Sequence, residues 1–432
     1  ADDLTRRYRN ANVRGAPAED MFNRMPPPQE PTVASVRERI GGADVRGRSR
    51  TETNVQLRLT PDPTCWRMAL EVNGAVQSRT FSDVGPARVR NASRMQYALR
   101  KAIVVDRDGW HVAPAESEVD GRSSLVGVES RFQLVPLLGP LVENVVRDRH
   151  SESRAAALAQ VKAKVGREAR LRMDREAAVK LGELQQRISE GMFSPLARFA
   201  LDYEIVDMST TDERAVLRLR MASPHQLAAH TPRPSAPSDS LASVQVHQSA
   251  VNNAIRGLNL DGRRMTVGEL HQLLSQKFAQ RAAEMPADLP QRAIVEFADH
   301  DAVQVACDGD CIEMTLHIAE LRKGRDSIRN VLVHAFFRPV IDSLEVKLVR
   351  DGGLQFEGAH LRTGTRLVLH SVFGKLLRKD QEVPLLARQF NDDERFAGLM
   401  VTQMVIEDGW VALSVGPTHP DRTAWRTRPA AR

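Results

Sequence analysis

Asn-Gly and Asp-Gly dipeptides set between stretches of alternating apolar and polar residues recur along this chain, and they constrain its fold more than any other feature. A two-residue type I′ turn needs positive φ at both central positions, which Asn, Asp and Gly tolerate. Alternation of period two gives the flanking strands one buried and one solvated face. "WRMALEVNGAVQSRTF" therefore predicts a turn at Asn73-Gly74, and "IVVDRDGWHVAP" one at Asp108-Gly109. "AVQVACDGDCIEMTLHI", "LEVKLVRDGGLQFEG" and "MVIEDGWVALSV" predict turns around Asp308-Gly309, Asp351-Gly352 and Asp408-Gly409. The class is α+β, dominated by antiparallel hairpin meanders. The Asp-Gly-Trp shared by two hairpins reads as convergent turn chemistry rather than an internal repeat.

Helical periodicity interrupts the strands twice. From Leu141 to Ile188, residues Leu158, Val161, Val165, Ala177, Leu181, Leu184 and Ile188 recur at steps of three and four, which predicts a long amphipathic helix with a break near Gly166. Its other faces, carrying Lys162, Lys164, Arg170, Arg172 and Asp174, are expected to meet water. From His247 to Ala283 two shorter helices are expected, the second opened by a Thr266–Glu269 capping box. One more short helix is expected at Val33–Ile40.

At 432 residues the chain exceeds what one core usually fills, so two domains are expected. The segment 222–242, "ASPHQLAAHTPRPSAPSDSLA", concentrates proline and small polar residues and reads as an extended linker. The division is an N-terminal arm over 1–50, a first α+β domain over 51–221, the Pro-rich linker 222–242, a second α+β domain over 243–416 and a disordered tail over 417–432. No apolar run approaches the roughly 20 residues that span a bilayer. The opening on Ala1 rather than Met predicts an upstream segment outside this sequence. The net charge of +6 invites a nucleic-acid partner, yet nine lysines and 52 arginines are interspersed almost one for one with acids. With few aromatic rings to stack on bases, the expected partners exclude nucleic acid.

Chemistry is sparse. "QVACDGDCIEM" holds Cys307 and Cys311 around an Asp-Gly-Asp turn, and no second Cys or His couple completes a zinc site. The spacing is also wrong for a redox motif at a helix start, and the acidic ladder of a calcium loop is missing. Opposed side chains leaving a tight turn stand close to disulfide distance, so a cross-turn Cys307–Cys311 disulfide is favoured over two free thiols, with a metal third. Such a bond would mark an oxidising compartment. Nucleophile elbows, phosphate loops and metalloprotease signatures are missing, and Asp299-His300-Asp301 reads as a turn. Neither catalytic residues nor a cofactor are expected.

The order of segments, an amphipathic helix followed by a meander of long hairpins, occurring twice across a proline-rich stretch, resembles the tubular lipid-binding (TULIP) superfamily. "PRPSAPSDSLASVQVHQSAVNN" and "VPLLGPLVENV" are similar to an uncharacterised group of planctomycete-type bacterial proteins. The resemblance implies a curved sheet wrapped around a long helix, with an apolar channel for lipid. The disulfide of the superfamily's animal members has no counterpart here, since Cys65 lacks a partner. The expected function is a non-catalytic, extracytoplasmic binding protein of the bacterial envelope. It would carry a lipid-like or other apolar molecule in a cavity lined by Leu158, Val161, Val165, Leu181 and Leu184. The alternatives are a structural or interaction protein with a dry core and, behind it, a hydrolase acting on an envelope polymer. Void volume separates the first two.

Overall fold

A computed structural model describes residues 10–26, 29–40, 42–85, 87–130, 138–188, 201–278, 285, 289–359, 361–379, 382–386 and 391–418. Most of them lie in antiparallel strands, with few helices, as the turn pattern predicts. The chain divides into two compact units. Unit 1 comprises Ala1–Met21, Arg187–Met208 and Arg214–Arg432, and unit 2 comprises Phe22–Gln186 and Ser209–Glu213.

This division corrects the expected one. Strand β1 (Val13–Pro17), placed in the expected arm, pairs with both β9 (Ala215–Met221) and β10 (Ala242–His247) inside unit 1. The strands on either side of the Pro-rich segment thus share a sheet, and 222–242 is a strap within one unit rather than a boundary. Its carbonyls are held by side chains: Arg220 donates to Ala222, Ser223 and Gln226, Asn253 to Leu227, and Trp410 Nε1 to Thr231. Proline removes backbone donors but leaves acceptors, and these donors satisfy them. Of the expected tail, 419–432 lies outside the described residues.

In unit 2, after the short helix α1 (Glu19–Arg24), β2 (Thr32–Ile40) pairs with β3 (Ala43–Thr60), β3 with β4 (Trp66–Val84) and β4 with β5 (Ala87–Asp106). Both β6 (Gly109–Val112) and β7 (Glu116–Ser130) pair with β5. The helix expected at Val33–Ile40 is therefore a strand, whose β-branched and alternating residues pair in register through Ile40↔Ala43. Helix α2 (Leu138–Ile188) is 51 residues long and has no break at Gly166.

Asn73-Gly74 does not turn. Strand β4 runs through it, and Gly74 is needed because the Tyr97 ring of β5 lies over it: a Cβ there would overlap Tyr97 Cζ. The Tyr97 hydroxyl then bonds Thr53 Oγ1 at 3.0 Å, tying three strands together. Asp351-Gly352 is likewise no turn but a bulge in β16 (Glu345–Glu357), where its register against β15 (Asp326–Asp342) shifts. The hairpin at Asp408-Gly409 forms as read, closing Glu407↔Trp410; the one read at Asp108-Gly109 turns one residue earlier, through Arg107-Asp108, and closes Asp106↔Gly109.

Unit 1 has two sheets. One runs β18 (Leu399–Glu407), β19 (Trp410–Pro417), β10, β1, β9, β8 (Tyr203–Thr210). The other runs β11 (Arg264–Thr266), β12 (Ile294–Phe297), β14 (Cys311–Lys323), β15, β16, β17 (Val383–Leu386), with β13 (Val303–Asp308) on β14. The expected helices appear as α3 (Gln248–Arg256) and α4 (Val267–Phe278). The capping box forms, with Thr266 N donating to Glu269 Oε2 at 2.7 Å and Glu269 N to Thr266 Oγ1 at 3.2 Å. Helix α5 (Thr363–Leu376), unforeseen in the sequence, buries Leu369, Val372 and Phe373 in a core shared with Val295, Phe297, Leu321 and Val333.

Candidate functional site

The interior of unit 2 is built by α2 and the inner face of its sheet. Strand alternation places Val55, Val72 and Leu99 in one inward row, Thr53, Gly74, Tyr97 and Val119 in the next, and Ser49, Ser78, Ser93 and Ser123 two rows further on. The serines form a hydroxyl band across the inner face, Ser78 and Ser93 joined at 2.6 Å, with Val76 and Met95 on one side of it and Val45, Val89 and Val128 beyond it on the other. Val72, Leu99 and Ala115 pack with Met173 of α2, and Ala169 and Tyr97 border them.

Polar contacts fix where the helix lies. Lys101, 5% exposed on the inner face of β5, donates to Asp174 and to the carbonyl of Ala113 at 2.8 Å. Asp174 also accepts from Ala115 N at 3.1 Å, and the lysine beside it holds its carboxyl below the usual range. Lys164 reaches Glu38 on β2 at 2.8 Å, while Gly166 backs onto Ser117 and Val119 of β7. Strands β2 and β7 lie at opposite margins of the sheet, four strand steps of roughly 4.8 Å apart. Contact of both with one helical turn means that the sheet curls around the helix.

Of the residues expected to line a cavity, Leu158, Val161, Val165 and Leu181 are half-buried, and the side chain of Leu184 lies outside the described residues. The buried line of α2 is instead Gly166, Met173 and Ala177, so the expected apolar residues flank it. Asp174, expected in water, turns inward to the buried lysine. Tyr97, Lys101 and Asp174 were missed; the small-residue opening at Gly74 was the sequence signal for the first.

The outer face of the same sheet holds a shallow open trough of about 680 Å³, floored by Gly74, Ala75 and Ala98 and flanked by Glu52, Glu118 and Asp120. No helix residue lines it, so it is not the interior cavity that was expected.

The cysteine reading is corrected. Gly309 and Asp310, with φ of +58° and +62°, form the turn, so Asp308 faces Cys311 and Cys307 faces Ile312. One residue of register puts the two sulfurs on opposite faces of the hairpin, Cys307 buried and Cys311 partly exposed, and both are free thiols. Burial pushes the Cys307 thiol up to about 12, which leaves it no thiolate to react with. Asp301 at the expected turn pairs with Arg256 at 3.0 Å. His334 Nδ1 meets Glu313 at 2.7 Å and Thr315 Oγ1 at 3.2 Å; both partners share one ring nitrogen, so they form no relay. No three His, Cys, Asp or Glu side chains among the described residues are arranged to hold a metal.

No family model matches the chain, and no curated protein does. Among solved structures, a crystal structure of lipopolysaccharide binding protein is similar in extent, at a TM-score of 0.32 and 10% identity, covering 95% of this chain and 99% of that one. A likeness of that size carries no argument about fold or function. No helix among the described residues is long and apolar enough to cross a membrane.

Proposed function

We propose that the chain is a non-catalytic binding protein whose unit 2 holds a lipid-like, amphipathic molecule between the curled sheet and α2. The observation that carries this reading is that Leu158, Val161, Val165 and Leu181 stay half-buried on a helix around which the sheet curls. Half-buried apolar side chains are a surface that an acyl chain would cover, at about 0.8 kcal/mol per buried methylene. The serine row supplies hydroxyls for a polar head. The proposal places the protein at the bacterial envelope, outside the cytoplasm. The disulfide that would have marked an oxidising compartment is not formed, so that setting rests on the ligand class. For unit 1 the dry-core reading is favoured, because its shared cluster from Ile255 to Ile406 is buried throughout.

An environment-sensitive fluorescent acyl probe tests the interior. Binding should saturate, and Val161→Glu with Val165→Glu should weaken it at least tenfold, since a carboxylate against an acyl chain loses its hydration. Unchanged affinity in that variant, with melting preserved, contradicts the proposal.

A further inference from the structure

The face of the unit 2 sheet turned away from α2 carries arginines opposed across the ladder. Arg37 stands against Arg46, Arg48 against Arg79, and Arg94 against Arg122, in three consecutive rows. All six are exposed. Their neighbours Arg50, Arg88 and Arg90 have carboxylates at 3.0, 2.9 and 2.7 Å, in Glu52, Asp83 and Glu129. None of the six has a carboxylate partner among the described residues. Like charges directly opposite one another destabilise a sheet, so the fold maintains an arrangement that an outside anion would relieve.

The geometry narrows the occupant. Strands about 4.8 Å apart and alternate residues about 6.8 Å apart spread these charges over a patch roughly 20 Å across, without a groove. The ring among these arginines, Phe81, already lies under Arg88 at 5.0 Å, and His111, at the other end of the same face, is held by Asp106 at 3.2 Å, so the patch offers no free platform for stacking a nucleobase. At the two margins of the sheet, Val33 on β2 and Val126, which bulges from β7, are each 66% exposed. Basic side chains spread over a face and flanked by exposed apolar ones suit a layer of phosphate headgroups above acyl chains. We infer that this face docks on an anionic phospholipid surface. Such docking is independent of the interior reading, since it uses the opposite face of the sheet.

Vesicle co-sedimentation of the full chain tests it, comparing phosphatidylcholine vesicles with vesicles that also contain phosphatidylglycerol. The expected result is binding to the anionic vesicles alone, weakening as salt rises. Each basic residue near such a surface contributes about fivefold, so R48Q/R79Q/R94Q/R122Q should lose several-hundredfold. Its melting temperature should hold or rise, because the opposed charges are gone. R58Q/R100Q, at the acidic end of the same face, should leave binding unchanged. Equal binding to neutral vesicles overturns the inference, as does an unaffected quadruple variant. Capture of a single-stranded oligonucleotide, or a dimer that the quadruple variant dissolves, overturns it too if the anionic vesicles are ignored.

Discussion

Asp174→Ala should destabilise unit 2 by about 2–3 kcal/mol, because it strands the ammonium of Lys101 inside the sheet. That lysine is 5% exposed and keeps only the Ala113 carbonyl once the carboxylate is gone. Removing one partner of a fully buried pair costs about 3–5 kcal/mol; the Asp174 side chain is 36% exposed, so water reaches the orphaned charge and the cost falls at or below the lower end. Replacing both partners, as Lys101→Met with Asp174→Leu, should return stability to within about 1 kcal/mol of the parent, since the desolvation of both charges disappears with them. Urea midpoints of the two singles and the double give the coupling directly. The lowered Asp174 carboxyl also sets a pH dependence. Its contribution is complete above the ordinary value of 3.8 and is lost as pH falls through the lowered one. A single variant as stable as the parent would show that the pair does not hold the helix.

The second large effect is acid lability at His247. This side chain is fully buried at the N-terminus of α3, its Nδ1 accepting from Ser249 N at 3.1 Å. His230 and Trp410 pack edge-on against it at 5.2 and 5.1 Å, and Nε2 has no partner among the described residues. Burial, with His230 beside it, pushes the imidazole down from 6.5 to about 4. The folded protein thus keeps His247 neutral where the unfolded chain takes up a proton. Stability from this group is complete above pH 6.5 and declines as pH falls to about 4. The loss between pH 7.5 and pH 4.5 should be about 2–3 kcal/mol. His247→Asn keeps a capping side chain but cannot titrate, so its denaturation midpoints should lack this slope. A parent-like slope in that variant would mean that the proton goes elsewhere.

Period and turn chemistry made the class of this fold legible. The hairpin at Asp408-Gly409, the capping box at Thr266 and the long helix all follow from local rules. The failures share one cause, which is that a dipeptide does not know what lies across the sheet. Asn73-Gly74 reads as a turn until Tyr97 is seen to occupy the space a side chain would need. The turn after Asp308 centres on Gly309 and Asp310, one residue later than the Asp-Gly dipeptide suggests. That single step moves Cys307 and Cys311 from a facing pair to opposite faces. Asp174 sits between arginines and reads as solvated, because nothing local announces a lysine 73 residues away. The arginine face was hidden by composition: the acids beside it are taken up by Arg50, Arg88 and Arg90, which sequence spacing does not reveal.

The central claim is that the interior of unit 2 holds an amphipathic molecule, and native mass spectrometry of the full chain purified from its own host tests it most directly. The expected result is an added mass at fixed stoichiometry that organic extraction recovers as a lipid-like compound, and that Val161→Glu with Val165→Glu abolishes. A bare protein mass, unchanged after incubation with lipid extract, would contradict it and leave a packed structural protein.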